Sequence, residues 1–475
     1  MGNNNFIIRS RRVVTAGRVV AADVHVRDGV IRAIRPHGEK ATSQSLEVID
    51  CGDFALMPGL VDTHVHMNEP GRTEWEGFAT GTRAAAAGGV TTVLDMPLNS
   101  IPATTNVRAL KEKIDATDGK LWVDVGFLGG VVPGNAADIQ GLWEAGVYGF
   151  KCFLAPSGVS EFQMVKHEDL TRALPKLNEL DAVLMAHAEL APSDPYAGPG
   201  GGAITPAGAR DPRRYDTYCW LHEAIDENAA ISYLLRLCLE YRARIHVVHL
   251  SSAANARNVR REQLAGVNLT VETCPHYLHF EAEDVPDGAT EFKCSPPIRP
   301  SGYHGTTSLW DGLEDGLISM IVSDHSPCPP EMKALETGDF RLAWGGISSL
   351  QLGLSVIWND ASQRGRGVRI TLDKVAEWMC ENPARLVGLD RRKGKIQVGH
   401  LADFVVFDPD DSFRVSPGEL HSRHKITPYA GEQLKGVVHA TYLRGHKIYD
   451  AADSSFSSSP MGQLLFRGKQ EQSGA

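Results

Sequence analysis

The 475-residue chain has no uncharged apolar run of about eighteen residues, the length a membrane-spanning helix needs. Its N-terminus, "MGNNNFIIRSRRVV", lacks the apolar stretch of a secretory signal, and Phe6 stands where a myristoylation pattern needs Ser or Thr. Dense Lys/Arg runs are also missing, and 48 basic against 58 acidic residues give a formal charge of -10. Nucleic acid and anionic membranes are therefore poor partners. The eight cysteines include no CxxC pair, which argues against a disulfide framework or a zinc finger and fits a reducing compartment. These absences lead us to expect a soluble, cytoplasmic protein.

What is present is a globular composition, 42% apolar and 22% charged, in a chain too long for one ordinary core. Residues from Phe6 to about Pro36 alternate apolar and polar, and Asp28-Gly29 between two such runs is a hairpin signal. The same period returns in "ADFVVFDPDDSFRV" and "VVHATYLRGHKIYD" near the other end. The two ends are expected to pair into one small β domain, residues 1–57 with 400–452, because domain termini often lie close together. Between them lie eight short apolar runs, from "ALMPGLVDTHVH" to "ISMIVSDHSP", separated mostly by amphipathic stretches. That alternation over residues 58–399 predicts an α/β fold, a (β/α)8 TIM barrel, joined to the smaller β-sandwich-like domain. A doubly wound sheet would more naturally show a Gly-rich phosphate turn after its first strand, and none is present. The Gly/Pro-rich segment 195–208 is expected to be an active-site loop or a plain insertion, and the Ser-rich tail 453–475 to be poorly ordered.

Residues i and i+2 of a strand share a face, so His64 and His66 in "DTHVH" both enter the barrel mouth at a strand's C-terminal end. Alone, such a pair suits a structural role as well as a metal. Other predicted strands end alike: His187 closes "LMAHAE", His249 closes "IHVVHLS", Asp324 and His325 close "MIVSDHS", and Lys151 lies in "GFKCF". Five strands delivering such residues to one rim is hard to assign to packing. Lys151 is either a salt-bridged lysine or a buried amine with a lowered pKa, able to take up carbon dioxide as a carbamate. A carbamate can bridge two ions about 3.5–4 Å apart.

This set resembles the binuclear cyclic amidohydrolases, which comprise allantoinases, dihydropyrimidinases or hydantoinases, and dihydroorotases. The resemblance covers about Phe6 to Asp450. It implies two divalent ions per subunit, zinc first, with cobalt, manganese or iron also suited by these ligands. His64, His66 and Asp324 would hold one ion, His187 and His249 the other, and carboxylated Lys151 would bridge them. Asp324 would also be the general base and acid, and His325 a hydrogen-bonded neighbour. A homotetramer is implied as well.

The ring to be opened is suggested by departures. Dihydroorotases carry an arginine two residues after the second histidine, where this chain has Asn68, so an acidic substrate is disfavoured. Hydantoinases carry a tyrosine five residues after the lysine, where this chain has Pro156; Ser157 could supply the hydroxyl instead. "HVHMNEPGRTEWEGF", "KCFLAPSG", "ETCPHYL" and "CSPPIR" all look like allantoinase segments, which implies hydrolysis of allantoin to allantoate and main-chain contacts to the ring around Cys294 and Ser295. Those enzymes commonly have Arg-Pro-Pro where this chain reads "TYCWLHEA", 217–224, with Trp220 either covering the site or anchoring a helix. The alternatives are a hydantoinase acting on a related neutral ring and a non-catalytic assembly protein on the same barrel.

Overall fold

Short apolar runs become parallel strands when helices cover them, because each strand is then buried on both faces. In the computed structural model, which describes residues 5–39, 46–190, 210–254, 256–302, 305–364 and 370–468, eight parallel strands do so. They are Leu60–Val65, Val90–Asp95, Asp124–Phe127, Phe150–Phe153, Val183–His187, Arg244–Val247, Leu269–Thr273 and Met320–Ile321. The first three form one sheet and the last five another. Tyr148 N donates to Phe127 O (2.9 Å) across one seam, and a parallel bridge from Val65 to His325 closes the other. All eight lie within the runs expected from the sequence. The amphipathic stretches between them fold as expected too, and Asn106 caps the helix Val107–Asp115 by accepting from Ala109 N (2.9 Å).

Both chain ends enter a second, nine-stranded sheet. Its central pairings run Phe404–Arg414, Ala55–Pro58, Phe6–Thr15, Arg18–Arg27, Val30–Pro36, so the C-terminal strand pairs directly with an N-terminal one. Asp28 and Gly29 both take positive φ, 53° and 73°, as the tight turn between Arg27 and Val30 requires. The segment 195–208 lies outside the described residues.

The tail corrects its expectation. Ser455–Phe456 pairs with His446–Asp450, Gly462 N donates to Leu121 O, and Leu465 N donates to Val125 O. Phe456 packs edge-on to Trp122, and Leu465 is buried. These apolar anchors outweigh the serines around them through residue 468.

One ionic cluster joins this tail and the β sheet to the barrel. Asp124, buried on the third barrel strand, accepts from Lys393 Nζ (2.8 Å), Arg444 Nη1 (2.6 Å) and Gln463 N (2.8 Å), while Lys393 also reaches Asp403 (2.6 Å). Burial pushes the Asp124 carboxyl up, but Lys393 and Arg444 outweigh it and hold it below the usual range. Removing one partner of such a cluster strands the others. Asp124→Ala should therefore cost about 3–5 kcal/mol, read as a lower urea midpoint; a loss under about 1 kcal/mol, the range of a surface pair, would show that the cluster does not hold the parts together.

Candidate active site

Strand period and strand ends together build the rim. Asp62, His64 and His66 alternate inward along the first strand and just past it, and Asp324 follows the eighth strand. His64 Nε2 lies 3.3 Å and His66 Nε2 3.5 Å from the same oxygen, Asp324 Oδ1. Ligand atoms of these three buried residues all lie within 4.8 Å of one another, so they can hold a metal ion. Burial lowers the His66 pKa, and it pushes Asp324 the other way, yet His64, His66 and His249 hold Asp324 well below its usual range. Neutral imidazole beside ionised carboxylate is what a divalent ion requires.

The remaining predicted ligands stand next to this trio. His187 Nδ1 and His249 Nε2 face each other at 2.9 Å, and the His249 ring centroid is 5.4 Å from that of His64. Burial lowers the pKa of both. Lys151 points inward from the fourth strand, fully buried, and its Nζ has no hydrogen-bond partner among the described residues. Burial lowers its pKa to about 8, against the opposing pull of Asp324 and Glu272. A buried ammonium lacking a partner is costly, and as a neutral amine it is suited to carboxylation. The His64, His66 and Asp324 set thus fits a metal ion chemically as well as by position.

Sequence reasoning missed the carboxylates behind these ligands. Glu272 Oε1 accepts from His64 Nδ1 (2.6 Å) and Glu189 Oε2 from His187 Nε2 (2.9 Å), so each ring's other nitrogen is left with its lone pair turned inward. The Asn99 amide lies 3.3 Å from His66 Nδ1. Asp62 accepts from His64 N (3.0 Å) and Ser323 N (3.0 Å), tying the first strand to the eighth. Asp62 and Glu189 carry a sequence signal, since each stands two residues from a predicted ligand and hence on its face. His325 is the hydrogen-bonded neighbour expected: its ring meets Glu76 (3.3 Å) and its carbonyl accepts from His66 N (2.9 Å).

The expected substrate contacts divide. Asn68 is buried at φ 62°; its Nδ2 donates to Pro327 O (3.3 Å), leaving Oδ1 an acceptor without a partner among the described residues. The Ser157 hydroxyl lies against Phe162 O and Val159 O of its own loop. Ser295 Oγ donates to Glu189 Oε2 (3.3 Å), which joins that loop to the site. Cys294 O accepts from Tyr218 Oη (2.8 Å), and Tyr215 Oη accepts from Ile298 N (2.9 Å). Two tyrosines of the helix Tyr215–Leu221 therefore hold the "CSPPIR" loop. Trp220 is half-buried beneath Arg210, and Tyr215 and Tyr218 are the residues that anchor the helix.

The model of the amidohydrolase family matches residues 55–194 and 220–448. An allantoinase of Streptomyces avermitilis is 46% identical over 468 residues, spanning 98% of this chain and 100% of its own. An allantoinase of Saccharomyces cerevisiae is 44% identical over 414 residues, 86% of either chain. Among solved structures, an L-hydantoinase (dihydropyrimidinase) from Arthrobacter aurescens matches with a TM-score of 0.89 at 29% identity, over 97% of this chain and 99% of that one. With the barrel, its rim and these relatives in agreement, the chain belongs to the amidohydrolase family, among the allantoinases.

Proposed function

We propose that this protein hydrolyses the ring amide of allantoin to allantoate at a binuclear metal centre. The observation that carries this reading is Lys151, a buried amine set among four histidines and an aspartate and without a hydrogen-bond partner among the described residues. His64, His66 and Asp324 would hold one ion, His187 and His249 the other, and N-carboxylated Lys151 would bridge them, with zinc the first choice. Ions bound there would acidify a water and polarise the scissile carbonyl.

The protein's own residues do the rest. Asp324 takes the proton of the attacking water and delivers it to the leaving ring nitrogen, a role suited to an ionised carboxylate beside the nucleophile. Ser326 Oγ donates to its Oδ1 (2.8 Å) and steadies it. The open Oδ1 of Asn68 can accept a ring N–H, and the main chain at Cys294 and Ser295 can pair with the ring amide. An uncharged amide at residue 68 favours a ring without a carboxylate, in keeping with the names of the relatives. We assign catalysis to the barrel, residues 58–399, and take the β part, 1–57 with 400–452, as its support. Among the described residues no helix is long and apolar enough to cross a membrane. We place the enzyme in the cytoplasm, in line with its cysteine usage and composition, and as a homotetramer, as the family resemblance implies.

Three measurements test this. Zinc-loaded protein assayed on allantoin, hydantoin, dihydrouracil and dihydroorotate should turn over allantoin fastest and leave dihydroorotate untouched; brisk hydantoin hydrolysis without allantoin turnover would make it a hydantoinase, and less than one metal per chain with no turnover an assembly protein. Lys151→Ala should lose several kcal/mol of transition-state stabilisation, about 10³-fold in kcat/KM, and short carboxylic acids should restore part of it; full activity in the variant rules the bridge out. Only the neutral amine attacks carbon dioxide, and burial lowers the Lys151 pKa to about 8, so metal reloading of stripped protein at a fixed concentration of dissolved carbon dioxide should accelerate as pH rises through about 8 and then level off. A rate that falls over that range contradicts carboxylation.

A further inference from the structure

The carboxylate that orients His64 is itself oriented from deeper in the barrel. Glu272, fully buried on the seventh strand, accepts with Oε1 from His64 Nδ1 (2.6 Å) and, at 3.4 Å, from the main-chain N of His249. One residue thus touches a ligand of each ion. Its Oε2 accepts from Nε2 of His246 on the neighbouring sixth strand (2.9 Å), and His246 Nδ1 lies 2.7 Å from Thr270 Oγ1. His246 and Thr270 are register partners, and Thr270 stands two residues before Glu272, so all three side chains enter the lumen. Thr270 also lines a cavity of about 480 Å3 at the N-terminal end of the barrel, together with Arg244, Arg260 and Asn268.

Proton positions along this chain follow from chemistry. A carboxylate only accepts, so His64 Nδ1 and His246 Nε2 both carry hydrogens. His246 Nδ1 is then free to accept from the Thr270 hydroxyl. Every member is assigned one direction, and His64 is left with the Nε2 lone pair that a metal needs. Without His246, Glu272 Oε2 would be buried and unpaired, and the side chain would turn to find a donor.

We propose that His246 is a positioning residue for the metal centre: held by Thr270, it fixes Glu272, and through Glu272 it sets the ring of His64 and the main chain at His249. The inference rests on the ligand assignment above. It gives a role to a buried histidine in "RIHVVHLS" that lies outside the proposed ligand set.

The test is zinc affinity of the full chain, measured by competition with a chromogenic chelator, alongside thermal unfolding of the metal-free protein. His246→Phe should weaken zinc binding by about 10–100-fold, the usual effect of losing an outer partner of a ligand. His246→Gln keeps a donor near the Nε2 position and should bind zinc nearly as the parent does. Thr270→Val leaves His246 in place without its donor and should give a loss in the same direction as His246→Phe, so the inference can be read even if the Phe variant fails to fold. Excess zinc should restore turnover to the folded variants. Parent-like affinity in His246→Phe, or a loss in His246→Gln equal to that in His246→Phe, overturns the positioning role while leaving the active-site reading intact. A parent that binds no zinc overturns the ligand assignment and this inference with it.

Discussion

The structure depends on one constraint: carboxylates buried at the mouth of an apolar barrel must be met by donors, and for Asp62 and Glu272 those donors come from more than one strand. Asp62, Glu189, Glu272 and Asp324 are all buried there. Water cannot solvate them, so an unpaired one would be expelled or protonated. Asp62 takes main-chain N–H groups from the first and eighth strands, and Glu272 takes imidazole N–H groups from the first and sixth. Pairing of this kind fixes the relative positions of the strands that also carry the candidate ligands. Closing the barrel and shaping the site are one operation.

This explains which parts of the molecule were legible in the sequence. Runs of buried apolar residues disclosed the eight strands, because burial on both faces leaves a continuous apolar signal. His64, His66, His187, His249 and Asp324 stood out because polar residues at the ends of such runs have few structural uses. Glu272 carries no such mark: it lies within "LTVETCPHYL", and its partners are 208 and 26 residues away along the chain. Ser157 shows the converse. A serine hydroxyl is small enough to be satisfied by a carbonyl of its own loop, five residues on, and composition cannot reveal that. The tail misled because serines mask the spaced Phe456, half-buried against Trp122, and the buried Leu465, which together order the segment.

Buried lysines show how far context decides chemistry. Lys113, Lys393 and Lys151 are all buried. Lys113 donates to Asp95 (2.6 Å) and Met96 O (2.9 Å), and Lys393 sits between Asp124 and Asp403. Those two are charged fasteners. Lys151 has the same side chain and the same burial but no hydrogen-bond partner among the described residues, and its pKa falls to about 8, whereas that of Lys393 is raised by its two aspartates against the effect of burial. Partner count, which sequence does not display, separates the fastener from the amine available for reaction.

The rim is also where the backbone departs from comfortable conformations. Asn68, Asn99, His249 and Asp324 all adopt positive φ, from 38° to 66°. Non-glycine residues there persist only where surrounding contacts over-determine them, and these contacts are identifiable. Asn68 O accepts from Arg72 N while its side chain reaches Pro327 O; Asn99 O accepts from Arg72 Nη1; His249 N faces Glu272; Asp324 Oδ1 accepts from Ser326. The bonds that hold these four residues are made chiefly by residues outside the ligand set. The local cost of placing ligand and substrate groups at the rim is therefore carried by the partners behind it, and a rigid site follows without requiring rigidity in the loop and helix that border it.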